Sequence, residues 1–205
     1  MEKTEKFTRQ IVTPRTNNLV VGIKGLKGSG KTAMLTLLLY FEWKYLKKKV
    51  YTNYQVFFPH ESLDIDKLIK LDKELTNAVI GISELHMICD SRRSGRKQNI
   101  KFSYFVTQSR HRSVNLYYDT QFERQIDIRI RENTDINLIC ENLFIDSDGD
   151  GINDMFRVIF QDKRTLPPLI FEKIIYLFPV FGFYNTDYIV NPFTMKEIQK
   201  IKGKK

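Results

Sequence analysis

Eight consecutive residues, Gly25-Leu26-Lys27-Gly28-Ser29-Gly30-Lys31-Thr32, place glycines, a lysine and a hydroxyl at the spacing of a phosphate cradle. They fill every position of the pattern G-x-x-x-x-G-K-[ST], the P-loop. Glycines let backbone N–H groups turn toward phosphate oxygens, and the helix that follows aims its positive end at the same anion. Lys31 would reach the β- and γ-phosphates, and the Thr32 hydroxyl would hold Mg²⁺. The expected ligands are therefore ATP or another nucleoside triphosphate, with Mg²⁺, bound through Gly25, Lys27, Gly28, Ser29, Gly30, Lys31 and Thr32.

A second group follows the apolar run Ala78-Val79-Ile80-Gly81-Ile82, which ends in Ser83-Glu84-Leu85-His86. A buried parallel strand carries functional residues at its carboxyl end, and this is where a Walker B motif belongs. A third strand end, Val114-Asn115-Leu116-Tyr117-Tyr118 leading into Asp119-Thr120-Gln121, completes the chemistry-bearing positions.

The elements that must position these residues are legible around them. Leu19-Val20-Val21-Gly22-Ile23 reads as the strand entering the P-loop. Thr32 to about Lys48 reads as a helix too apolar for one narrow stripe, hence mostly buried. Its tail, Lys44, Lys47, Lys48 and Lys49, is either a solvated helix end or a DNA contact. Val50 to Val56 alternates as a strand, Leu63 to Leu71 reads as a short helix, and Gln98 to Ser113 as a longer one. Glu123 to Glu132 fits strand or helix, because Ile126, Ile128 and Ile130 recur at two with charges between them. Ile136 to Ile145 and Met155 to Phe160 read as two strands joined by Asp146 to Asp154. That joint imitates a calcium loop, but Arg157 stands where a bidentate Glu is required, so an acidic hairpin turn is the expectation.

The chain of 205 residues, 42% hydrophobic, is long enough to bury one good core, and no Ser-, Gly- or Pro-rich stretch divides it. The expected organisation is an N-terminal arm (1–17), an ATPase domain (18–190) and a basic tail (191–205). A formal net charge of +9 favours a polyanionic partner. Cys89 and Cys140 lack a C-x-x-C partner, which predicts reduced, buried thiols in an intracellular protein. No secretory signal is expected, and the greasiest stretch, Leu169 to Tyr184, carries Glu172, Lys173 and Pro179, so no transmembrane segment is expected either.

The combination of the P-loop, Val79 to His86, Gln108-Ser109-Arg110-His111, the strand ending in Thr120-Gln121, and Ile126-Asp127 followed by Ile130-Arg131 resembles the FtsK-HerA superfamily of DNA-pumping ATPases. Within it the chain is most similar to the small genome-packaging ATPases of internal-membrane icosahedral viruses, archaeal turreted viruses included, and to zonula-occludens-toxin-like phage assembly ATPases. The resemblance covers roughly residues 18 to 190. It implies an α/β, RecA-like (additional-strand) P-loop NTPase fold: a mainly parallel sheet in the order 5-1-4-3-2, flanked by helices, with a C-terminal β-hairpin extension.

It also implies roles. Glu84 matches the catalytic glutamate that polarises the attacking water, and Gln121 the amide that senses the γ-phosphate or orients that water. The family has Asp immediately before the Glu; here Ser83 supplies only a hydroxyl, leaving the metal to Thr32, Ser83, phosphates and water. Asn137 stands where cellular members place an arginine that acts on a neighbouring subunit, so Arg110, Arg129 or Arg131 must serve, with Arg110 favoured. The basic run from Asp90 to Lys101 is expected to be a mobile loop contacting DNA phosphates through Arg92, Arg93, Arg96 and Lys97, the other readings being a solvated loop or one whose Arg92 braces the nucleotide site. Lys196, Lys200, Lys202, Lys204 and Lys205 are expected to be merely solvated. Phe181-Gly182-Phe183-Tyr184-Asn185-Thr186 resembles the segment that closes viral packaging ATPases, and either lies between subunits or caps its own sheet.

The resulting expectation is an ATP-hydrolysing motor in a homo-oligomeric ring, pentamer or hexamer, that moves double-stranded viral DNA into a preformed capsid. Capsid or portal vertex proteins are its expected partners, and the host cytoplasm or the packaging vertex of the virion its location. Two alternatives accompany it: a nucleoside or nucleotide kinase, with Arg92 to Lys101 as a lid, and an assembly NTPase that pumps no DNA. A GTPase would need an N-K-x-D motif, which the sequence lacks.

Overall fold

The computed structural model describes residues 18–63, 68, 75–93, 95, 97–146, 149 and 151–187, without the side chains of Arg93, Gln98 and Arg110. The N-terminal arm, the basic tail, Arg96 and most of the helix expected over 63–71 lie outside the described residues.

Strand β1 (Val20–Lys24) runs into the P-loop, and helix α1 (Lys31–Leu46) leaves it. α1 is buried nearly all round, from Ala33, Met34 and Leu35 through Leu37, Leu38, Leu39 and Phe41, as its unbroken apolar sequence requires. Lys47 closes it in the left-handed conformation, with the Lys48 amide donating to the Glu42 carbonyl at 3.2 Å. β2 (Lys49–Thr52), the two-residue β3 (Glu61–Ser62) and β4 (Ala78–Ile82) follow. Then come α2 (Lys97–Gln108), β5 (Asn115–Thr120), α3 (Ile128–Glu132), β6 (Ile136–Asn142), β7 (Met155–Asp162), β8 (Leu169–Tyr176) and the short α4 (Phe178–Phe181).

One eight-stranded sheet has the order β3-β2-β4-β5-β1-β6-β7-β8. β3 to β6 pair parallel; β7 and β8 are antiparallel. The five strands read from sequence thus lie in the expected order, β6-β1-β5-β4-β2, and the hairpin β7–β8 extends the β6 edge. The additional detail is β3, which widens the other edge.

Both faces of the sheet are covered, and alternation along each strand sorts side chains between two cores. Val21 and Ile23 of β1, Val79 of β4 and Tyr117 of β5 face α1, joined by Phe156, Val158 and Phe160 from the hairpin. Val20, Ile80, Ile82, Leu116 and Tyr118 face α2 and α3 with Phe102, Phe105, Ile126 and Ile130.

Two local readings change, and two left open take one of their alternatives. The second strand stops at Thr52 instead of continuing to Val56, whose single bridge goes to Tyr184. Glu123 to Glu132 is helical, a 3₁₀ turn (Glu123–Gln125) followed by α3, whose N-cap Asp127 accepts from the Arg129 amide. The basic run after Glu84 is no open loop, since Ser91–Arg93 forms a 3₁₀ turn and Lys97 already begins α2. The aromatic segment packs on its own chain: Phe183 stacks on Tyr40 of α1 with ring centroids 4.6 Å apart, and the Phe57 amide donates to the Phe183 carbonyl at 2.8 Å. The acidic joint is a β6–β7 hairpin as expected, although Ser147, Asp148 and Asp150 lie outside the described residues. Both cysteines are free and buried, and among the described residues no helix is long and apolar enough to cross a membrane.

Candidate active site

The P-loop is shaped by close packing beneath it. Gly30 caps α1 with φ 82°, and a Cβ there would stand 2.8 Å from Phe156 Cδ1 of β7, so both conformation and space require glycine. Strand β6 holds the loop elsewhere: Asn142 Nδ2 donates to the Gly28 carbonyl at 3.2 Å, and a Cβ on Gly25 would collide with the Cys140 carbonyl. Lys31 is buried, its Nζ donating to the Leu26 carbonyl at 2.9 Å inside the same turn. Ser29 Oγ is buried with no hydrogen-bond partner among the described residues. A short anion at this helix end would find the Lys31 ammonium, that hydroxyl and first-turn amides of α1.

Strand alternation brings the remaining groups to the same mouth. On β5, Asn115, Tyr117 and Asp119 all point to the α1 side. Asn115 Nδ2 (2.5 Å) and the Tyr117 hydroxyl both donate to Glu42 Oε1 near the far end of α1. Asp119, four residues on, reaches the near end, where it accepts from Thr32 Oγ1 at 3.1 Å. The match is geometric: ten helical residues and four strand residues each span about 13–15 Å. Ser83 on the neighbouring strand end donates from Oγ to Asp119 Oδ2 at 3.1 Å, and the Glu84 amide donates to Asp119 Oδ1 at 2.6 Å. Asp119 is fully buried, and that desolvation pushes its carboxyl up to about 6, against the pull of the Glu84 amide.

Glu84 is held by its backbone more than by its side chain. Its φ of 53° and ψ of 52° lie in the left-handed region, costly for a residue with a side chain and fixed here by neighbours. Asn53 clamps the preceding residue, donating from Nδ2 to the Ser83 carbonyl at 2.9 Å and accepting from the Ser83 amide at 2.8 Å. The Glu84 carboxylate is partly exposed. Gln121 Nε2 donates to Oε1 at a long 3.5 Å, and His86 Nδ1 lies 3.2 Å from Oε2 without hydrogen-bond alignment. Glu84 and Gln121 are therefore brought together beside the P-loop.

The arginines are placed differently. Arg110 lies in the 3₁₀ turn Ser109–Arg112, which precedes β5 and so sits at the opposite end of the sheet from the P-loop. Arg129 is engaged locally, donating from Nε to Asp127 Oδ1 at 2.9 Å and from an Nη to Oδ2 at 2.7 Å. This pair holds the Asp127 carboxyl below the usual range. Arg131 Nε is buried with no hydrogen-bond partner among the described residues. Of the DNA candidates, Arg92 is 82% exposed but paired with Asp90 at 2.9 Å, and Lys97 is exposed at the start of α2. The lysines at the end of α1 line a cavity of about 500 Å³ with Trp43, Val50 and His60, remote from the phosphate loop. Lys48 there is buried against Glu42 at 3.2 Å.

Sequence reading missed Asp119 and Asn53. The signal for Asp119 was present: an acid two residues before Gln121, on the strand expected between the P-loop strand and the Glu84 strand. Asn53 carried none, since its role depends on where the chain turns after β2.

No protein-family model matches the chain, and no curated protein matches it. Among solved structures, the N-terminal domain of zonular occludens toxin from Neisseria meningitidis superposes with a TM-score of 0.60 at 19% identity, over 83% of this chain and 100% of that one. The genome packaging NTPase B204 from Sulfolobus turreted icosahedral virus 2, in complex with AMP, gives a TM-score of 0.54 at 11% identity, over 77% and 98%. The same NTPase with AMPPCP gives 0.53 at 12%, over 76% and 97%. At these identities the likeness establishes the fold, that of the P-loop NTPases.

Proposed function

We propose that the chain hydrolyses ATP at this site and uses the hydrolysis to drive double-stranded DNA into a capsid as a ring of identical subunits. The observation that carries the hydrolytic part is that Thr32 of the P-loop and the backbone of Glu84 are tied to one carboxylate. That tie brings a general base to the mouth of an anion-binding turn. Nucleotide-bound structures of a protein with this fold, described as a genome packaging NTPase, support the choice of ligand and of process.

In this reading the P-loop amides and Lys31 hold the β- and γ-phosphates, with Lys31 exchanging the Leu26 carbonyl for phosphate oxygen. Glu84 accepts the proton of a water aligned with the γ-phosphorus, and Gln121 turns that water by accepting one of its hydrogens. Oxygen donors suit Mg²⁺, and the hydroxyls of Thr32 and Ser83 beside a buried carboxylate fit it; the ion would neutralise charge between the phosphates. The turn that carries Arg110 lies at the opposite end of the sheet from its own P-loop, so Arg110 would act on a neighbouring subunit's triphosphate; Arg129 would first have to leave Asp127. Arg92, Arg93, Arg96 and Lys97 would grip DNA phosphates near the bore, and capsid or portal proteins would anchor the ring at the packaging vertex in the host cytoplasm or virion.

The test is phosphate release with and without double-stranded DNA across a salt series. We expect DNA to stimulate release several-fold at low salt, the stimulation to fade steeply as salt displaces phosphate contacts, and Lys31→Ala to abolish release. Transfer of phosphate to a nucleoside, with no response to DNA, would contradict the proposal.

A further inference from the structure

The β4 position expected to carry an acid for the metal is Ser83, and a serine brings no charge. The charge is nevertheless present, one strand away. Asp119 and Ser83 lie on adjacent strand ends, both on the α1 side, with Ser83 Oγ 3.1 Å from Asp119 Oδ2. The same oxygen receives the Thr32 hydroxyl at 3.1 Å. We propose that Asp119, from β5, is the carboxylate that anchors the hydrated magnesium ion of the bound nucleotide, in place of the acid absent at position 83. The proposal rests on the nucleotide reading above.

Three features carry it. First, the carboxylate of Asp119 is fully buried, yet its hydrogen-bond donors are all neutral: two hydroxyls and one amide. Lys31, the P-loop cation, gives its hydrogen bond to the Leu26 carbonyl. A buried carboxylate without a paired cation is costly, and a divalent ion and its waters would offset that cost. Second, the Thr32 hydroxyl has its single hydrogen on Asp119, which leaves both oxygen lone pairs for a metal. Third, the other carboxylate oxygen, Oδ1, receives the Glu84 amide at 2.6 Å. Any group that binds Asp119 is therefore felt directly by the strained turn that presents Glu84. Asp119 thus positions the metal and, through the backbone, the general base.

The bland alternative is that Asp119 only pins the Glu84 turn. The two are separated by the Mg²⁺ requirement for binding a fluorescent, non-hydrolysable ATP analogue, titrated from EDTA upward in parent, Asp119→Asn and the strand-swapped Ser83→Asp/Asp119→Ser. We expect Asp119→Asn to need at least tenfold more Mg²⁺ for its tight-binding phase than the parent. The swap should return that requirement to within a few-fold of the parent. If Asp119→Asn fails to fold, the swap decides the matter, because it keeps one carboxylate and one hydroxyl on the same face. An unchanged Mg²⁺ requirement in Asp119→Asn, or a folded swap with no metal response, would overturn the proposal while leaving the nucleotide site standing. No analogue binding by the parent would overturn both.

Discussion

At the scale of single residues the site is organised around a carboxylate, Asp119, that must be buried to touch three elements at once. Its burial has a measurable consequence. The folded protein keeps a proton on Asp119 up to about pH 6, whereas the unfolded chain releases it near 3.8. Folding is therefore favoured by this group below about pH 4, and that contribution is lost as pH rises to about 6, on the order of 2–3 kcal/mol. Urea unfolding of the nucleotide-free protein across this window should show stability falling more steeply in the parent than in Asp119→Asn. Parallel curves would show that burial does not hold the proton. Asp127 and Asp162, depressed by Arg129 and Arg164, act oppositely and at lower pH, and they cancel in the comparison. The P-loop was legible in the sequence because its residue types and spacing carry the chemistry, while Glu84 and Gln121 were singled out through the resemblance, and the structure brings those two side chains together. Asp119 was not singled out, since only the register of β5 against α1 gives an ordinary strand acid its meaning.

At the scale of elements, the order of the parallel strands was legible from the resemblance, and their extents roughly so from apolar runs. The failures share one cause, tertiary contacts that local pattern does not encode. Val56 alternates like a strand, but its bridge among the described residues goes to Tyr184, from the far end of the described chain. The isoleucines spaced by two, Ile126, Ile128 and Ile130, include one that is exposed, and the segment is helical because Asp127 caps it. Of the hairpin β7–β8, only β7 was legible as a strand from its own residues; the hairpin itself came from the resemblance, and neither strand was legible as the floor of the P-loop. Phe156, 2% exposed, fills the space that a side chain at Gly30 would need. Phe156→Ala should destabilise the protein by about 3–5 kcal/mol and weaken nucleotide binding, whereas Phe144→Ala, at a position 78% exposed, should change neither. Thermal unfolding and analogue binding of the two variants check this, and equal effects would mean that the hairpin does not support the loop.

At the scale of the whole molecule, a sheet covered on both faces leaves its functional groups only one place to meet, the carboxyl ends of β1, β4 and β5. The charge of +9 was legible at once, but its use was not, because composition gives no positions. The chemistry-bearing cluster and the lysine-lined cavity prove to lie at opposite ends of α1. The segment beginning at Glu84 continues directly into the basic turn and α2. All of this presumes that the P-loop and Glu84 act on one terminal phosphate. Single-turnover phosphate release, with ATP limiting and enzyme in excess, tests that most directly when the parent is compared with Glu84→Gln. The account predicts that Glu84→Gln binds ATP within a few-fold of the parent but releases phosphate about 10²–10⁴-fold more slowly. Release at the parental rate by a variant that still binds ATP would contradict it.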